Sequence, residues 1–193
     1  MKELLLKLIN HVSKTLGPGH SENIYQKALS IVLQHHNIKH HCEFHVPVSI
    51  AYESNKYHIG DERIDILIYD NLNEIHIVEL KAIQGSIYSN SNITTNMSAH
   101  PAHVQLMKYI RLLQSNYDFL ESKKIISGFV VNFRQGVKFN TLFEMNTEFD
   151  YYDVISNQWS FNEKLMDKKI MNENNVINSE EPPSSITIST QKL

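Results

Sequence analysis

The sequence predicts an α/β fold in which one central mixed sheet is sandwiched between helices, in the order α-α-β-β-β-β-α-β with extra strand material towards the C-terminus. Three observations predict it. Apolar residues recur at helical spacing in two early segments and one later one. Between them lie runs rich in β-branched and aromatic residues, bounded by turn formers. Two of these runs, RIDILIY (63–69) and EIHIVELKA (74–82), are apolar on both faces, as strands covered above and below must be.

Taken in order, residues 3–16 place Leu4, Leu5, Leu8, Ile9, Val12 and Leu16 on a helical stripe, and the Gly17-Pro18-Gly19 sequence then ends that helix. A second helix over about 21–36 carries Tyr25, Ala28, Leu29, Val32 and Leu33. FHVPVSIAY (44–52) alternates like a strand, with Pro47 implying an edge or a bulge. KYHIG (56–60) reads as a short return strand, and the polar DNLNE separates 63–69 from 74–82 as a hairpin. Residues 84–102 form a long polar loop, and Pro101 opens a third helix, proline being tolerated in a first helical turn. IISGFVVNF (125–133) is a strand, VKFNTLF (137–143) another, and EFDYYDVISNQW (148–159) an added edge element. One domain over 1–169 is expected, followed by a disordered tail over 170–193.

Composition narrows the function classes. A hydrophobic fraction of 41% with 20% charged residues suits a soluble globular domain. The single cysteine, Cys42, excludes an internal disulfide framework and a cysteine-rich zinc site. Lys7 breaks the N-terminal leucine cluster and no small-residue cleavage site follows, so no signal peptide is read there; nor does any segment have the apolar length of a membrane span. The expectation is a soluble intracellular protein, cytoplasmic or nuclear, without membrane contact. Net charge is −3, and the tail, with Glu173, Glu180 and Glu181 against Lys192, carries most of it. Any contact with nucleic acid must therefore be local.

Charges inside the hairpin carry the chemistry. Side chains alternate along a strand, so Glu79 and Lys81 share one face. If the hairpin turns about Leu72, Asp65 lies opposite Glu79 on that same face. Two facing buried carboxylates are destabilising unless one keeps a proton or a cation lies between them. Mg²⁺ or Mn²⁺ is the ion such oxygens suit. Glu22 continues the apolar stripe of the second helix and so points inward, as Gln105 does on the third helix, in line with Tyr109 and Leu112.

With those residues in place, the chain resembles a known family. Gly19, Glu22 and Tyr25 fit the GxxExxY signature, and IGDERIDILI, IVELKA, HVQLMKYIR and GFVVNF follow in the order of GxxExxY proteins, a branch of the PD-(D/E)xK nuclease-like superfamily. The resemblance covers roughly 4–133. It implies a restriction-endonuclease-like α-β-β-β-α-β core and a metal-dependent nuclease that hydrolyses phosphodiester bonds, with DNA as substrate and a homodimer as one open assembly. It makes Asp65 and Glu79 the metal-binding carboxylates, Lys81 the motif lysine, Glu22 the helix-borne acid and Gln105 the glutamine of the later helix. The Leu80 carbonyl could add a metal ligand.

Plainer readings stand beside these. Glu79–Lys81 could be a solvated pair on an edge strand, Glu22 a first-turn acid favoured by the helix dipole, Asp65 a partner of Arg63 or Lys81, and Gln105 a structural hydrogen-bonder. The whole chain could be a non-catalytic module binding nucleic acid or a protein. His35, His36, His40 and His41 straddle a helix end and a loop without zinc-site spacing, and nothing marks Cys42 as activated.

Overall fold

The computed structural model describes residues 1–70, 73–84, 87, 100–115, 123–135 and 147–160. Its elements are α1 (Lys2–Leu16), α2 (Glu22–His35), β1 (Lys39–Tyr52), β2 (Asn55–Tyr69), β3 (Glu74–Lys81), α3 (Pro101–Ser115), β4 (Lys124–Phe133), β5 (Thr147–Asp153) and β6 (Gln158–Ser160). The expected strand at 137–143 and the expected tail lie outside the described residues.

Six strands form one sheet in the order β1-β2-β3-β4-β5-β6. All neighbours are antiparallel except β3 and β4, which run parallel. A parallel pair needs a crossover, and α3 lies on the connection that supplies it. On one face, Leu5, Leu8, Ile9 and Val12 of α1 and Tyr25, Leu29 and Leu33 of α2 pack on Ile66, Ile68, Val78, Leu80 and Phe129. On the other, Leu106, Tyr109, Ile110 and Leu113 of α3 pack on Leu67, Ile75, Ile77 and Val130. The alternation along β2 and β3 thus feeds two cores. Each fully buried aliphatic chain contributes about 1.5–3 kcal/mol relative to exposure.

Some boundaries differ from the sequence expectation. Leu4 is largely exposed while Leu6 is buried. Residues 56–60 and 63–69 are one strand, because β1 pairs along its whole length and carries the short return segment with it. His40 and His41 lie on β1 rather than in a loop. The 148–159 segment is two strands, and β5 is interior since β6 takes the edge. β1 is an edge strand, where Pro47 leaves no inner donor wanting. Among the described residues no helix is long and apolar enough to cross a membrane.

One irregularity positions the site. Cys42 pairs with Ile66 and Phe44 with Ile64, but no pair joins Glu43 to Asp65. Glu43 has φ 55°, a left-handed conformation costing about 1–2 kcal/mol for a residue with a Cβ. Both strands exchange faces there: Cys42 and Ile66 belong to the α1–α2 core, Phe44 and Ile64 to the α3 core. The gap is filled from α2. Gln26, 5% exposed, donates from Nε2 to the Asp65 carbonyl at 2.9 Å and to Glu43 Oε1 at 2.7 Å.

Candidate active site

The GPG turn brings α2 down onto the end of the sheet. Gly17 (φ 68°) and Gly19 (φ 102°) take backbone angles that other residues rarely adopt. The Tyr25 hydroxyl donates to the Gly17 carbonyl at 2.7 Å, and its ring stacks on Phe133 with centroids 4.3 Å apart. Tyr25 is therefore the tie between turn, helix and β4. One helical turn earlier, Glu22 stands half-buried at the start of α2.

The hairpin follows the register that places Tyr69 opposite Ile75 and Leu67 opposite Ile77. Its described main-chain pairs stop at Ile66–Val78. Beyond that point Asp65 meets β3 with its side chain, Oδ2 accepting the Leu80 N–H at 2.7 Å. Glu79 is fully buried. Its Oε1 lies 2.5 Å from Lys81 Nζ, which is also 3.8 Å from Glu22 Oε2. Arg63 makes its ion pair with Glu43, Nε to Oε2 at 2.6 Å, and acts on Asp65 only through its charge.

The charges are unequal to their burial. Burial, then the Asp65 charge, push the Glu79 carboxyl up to about 8, with Lys81 opposing. Burial likewise raises Asp65 and Glu22 against the pull of Lys81 and, for Asp65, the Leu80 N–H. Burial alone would depress Lys81, but Glu79, Glu22 and Asp65 outweigh it and keep the ammonium protonated. One lysine thus faces three acids. Moreover, Glu79 Oε2 is buried without a hydrogen-bond partner among the described residues. A buried orphan carboxylate oxygen beside a second carboxylate fits a hard divalent cation, whose ligands are oxygens.

Gln105 is turned to a neighbour: its Nε2 donates to the Tyr109 hydroxyl at 2.5 Å, which in turn donates to the Arg63 carbonyl at 2.6 Å. The field of Glu79 and Asp65 reaches that hydroxyl, and burial first, then those charges, raise it to about 12. Gln26 was not among the sequence candidates. Its signal was weak, a glutamine beside Tyr25 on the buried side of α2.

Two further polar groups were missed. Across the sheet, Glu79 is level with Val130 and Asp150, and Lys81 with Asn132 and Glu148. Glu148 Oε2 accepts from Asn132 Nδ2 at 3.0 Å and from the Ile87 N–H at 2.9 Å, while Asp150 Oδ2 lies 2.6 Å from His103 Nε2. At the turn end of the hairpin, Asp70, Glu74 and His76 place ligating atoms within 4.8 Å of one another.

This sheet and its helix arrangement form an α/β fold of the restriction-endonuclease-like type. The chain belongs to the PD-(D/E)XK nuclease superfamily, whose family model matches residues 1–142. Members of that superfamily usually hydrolyse phosphodiester bonds in nucleic acid and are typically dependent on a divalent metal. Among solved structures, the chain resembles one described as "Crystal structure of SSO0001", with 20% identity and a TM-score of 0.34, over 57% of this chain and 43% of that one. A comparison with curated proteins returned no match.

Proposed function

We propose that this protein is a divalent-metal-dependent nuclease of the GxxExxY branch, hydrolysing phosphodiester bonds in DNA. The observation that carries the reading is the fully buried Glu79, with one oxygen on Lys81 and the other unpartnered among the described residues, beside Asp65. Asp65 and Glu79 would hold Mg²⁺ or Mn²⁺, with Glu22 and the Leu80 carbonyl as further donors. When bound, such an ion polarises a phosphate oxygen and makes a water acidic enough to attack.

The protein's own groups divide the remaining work. Lys81 keeps its proton, so it orients the attacking water and stabilises negative charge developing on the phosphoryl oxygens rather than acting as a base. Glu22, half-exposed, is the acid that substrate and solvent reach first. Gln105, through Tyr109, steadies the α3 side and is a positioning residue. Gln26 fixes the Asp65 main chain from beneath.

The test is plasmid DNA incubated with purified protein and Mg²⁺ or Mn²⁺. Wild type nicks or linearises it, and Glu79→Ala, checked for folding by circular dichroism, does not. Equal cleavage by a folded Glu79→Ala protein rejects the assignment. One observation favours a second reading, a non-catalytic binding module: Lys81 and the Leu80 N–H already satisfy one oxygen each of Glu79 and Asp65. Calorimetric titration with Mn²⁺ separates the two, since heat that disappears in Asp65→Ala belongs to the nuclease alone.

A further inference from the structure

The alternation that sends Asp65 and Glu79 to one side of the hairpin sends Asp70, Glu74 and His76 to the other. His76 stands opposite Ile68 in the ladder, and Ile68 packs in the α1–α2 core. The Asp70 and Glu74 main chains close the turn, with Asp70 N–H on the Glu74 carbonyl at 3.0 Å and Glu74 N–H on Asp70 Oδ1 at 3.1 Å.

Three ligating atoms from these residues lie within 4.8 Å of one another. The imidazole supplies an independent sign of a ligand. The His76 side chain is 4% exposed, and its Nε2 has no hydrogen-bond partner among the described residues. That nitrogen lies 3.6 Å from Asp70 Oδ2, beyond hydrogen-bond reach. The other ring nitrogen, Nδ1, is 2.7 Å from Ser127 Oγ. Of the two ring nitrogens, Nε2 is thus the one free of a hydrogen bond among the described residues and turned towards the carboxylates. Burial lowers the ring's proton affinity, against the pull of the Asp70 carboxylate.

An imidazole whose far nitrogen is anchored, and whose near nitrogen faces carboxylates, is the arrangement found around protein-bound transition metals. We propose that Asp70, Glu74 and His76 form a second metal site, taking a transition-metal dication of the zinc type. The nitrogen donor decides the class, since Mg²⁺ prefers oxygens throughout whereas imidazole suits Zn²⁺ and its neighbours. Donors around a tetrahedral ion of this size stand about 3.4 Å apart, close to the His76–Asp70 separation. Glu74, half-exposed, closes the remaining distance by a side-chain adjustment. The Met1 amino group adds positive charge nearby, so a cation held by charge alone is disfavoured. The site lies three to five residues along β3 from Glu79, roughly 10 to 17 Å, and on the opposite face, so it fastens the hairpin turn and takes no part in hydrolysis.

The experiment titrates the full chain carrying Glu79→Gln with Zn²⁺ by calorimetry and with Co²⁺ by visible absorption. One equivalent bound, with a ligand-field spectrum of low-symmetry nitrogen and oxygen donors, is expected. Adding Glu74→Gln or His76→Gln should weaken it at least about tenfold. If the His76 variant does not fold, Glu74→Gln on the half-exposed residue decides alone. No Zn²⁺ bound by the Glu79→Gln chain, or unchanged affinity after Glu74→Gln, overturns the proposal. Either result leaves the Asp65–Glu79 reading standing, because that site is already disabled in the test.

Discussion

The main-chain N–H of Leu80 donates to Asp65 Oδ2 at 2.7 Å, so a carboxylate occupies a position in the sheet ladder that a carbonyl would ordinarily hold. Asp65→Asn keeps an oxygen able to accept that bond and removes only the charge. The variant should fold with a melting midpoint within a few degrees of wild type and lose Mg²⁺-dependent DNA cleavage by about 100-fold or more. Plasmid cleavage and circular dichroism on the same sample check both halves. Retained activity would move the chemistry elsewhere.

Glu79 gives stability a pH signature. In the unfolded chain its carboxyl ionises near 4.5, while in the folded protein it holds its proton up to about 8. Between those values the folded state binds the extra proton, so metal-free stability should fall as pH rises, by up to about 1.4 kcal/mol per pH unit. Asp65 and Glu22, also raised, act in the same direction. Urea unfolding at pH 5, 6.5 and 8 should show this decline in wild type and much less of it in Glu79→Gln. Mn²⁺ affinity should climb over the same interval, because ion and proton compete for one carboxylate.

Gln26 bonds both the Asp65 carbonyl and Glu43 where the β1–β2 ladder is interrupted. Gln26→Leu fills the space and leaves those oxygens without their donor, at a cost of about 1–3 kcal/mol. Loss of that support should also weaken Mn²⁺ binding, although the side chain touches none of the acidic side chains of the candidate site. Unfolding curves paired with calorimetry read the two effects separately.

Gly128 on β4 lies under α3, and a Cβ there would stand 2.8 Å from both terminal carbons of Leu106. Leu106 is itself fully buried. Gly128→Ala should therefore destabilise by about 1–3 kcal/mol through overpacking, and Leu106→Ala in the same chain should recover part of the loss. A double-mutant cycle in urea measures that coupling.

Much of this was legible in the residues. Counting inward from Leu72 gives the observed hairpin register, and the doubly apolar 63–69 and 74–82 runs identify two of the interior strands. The same count sets Asp70 against Glu74, so the second cluster was available to the arithmetic that singled out Asp65 and Glu79. What could not be read depends on distant partners. Nothing local makes Glu43 adopt a left-handed angle; the gap exists because Gln26, far off in sequence, fills it. EFDYYD alternates polar and aromatic like a solvent-facing edge, yet Glu148 and Asp150 are buried. Asn132, Ile87 and His103 accommodate them, and each arrives from another part of the chain.

Those two buried acids have an effect on how the protein can change over generations. Ile87, just past the end of β3, is fastened to Glu148, and His103, at the start of α3, is fastened to Asp150. The stretch of chain joining them therefore leaves and returns at moorings set by β5. Either acid can therefore change over generations only together with the partner it holds, 61 residues away for Glu148 and 47 for Asp150.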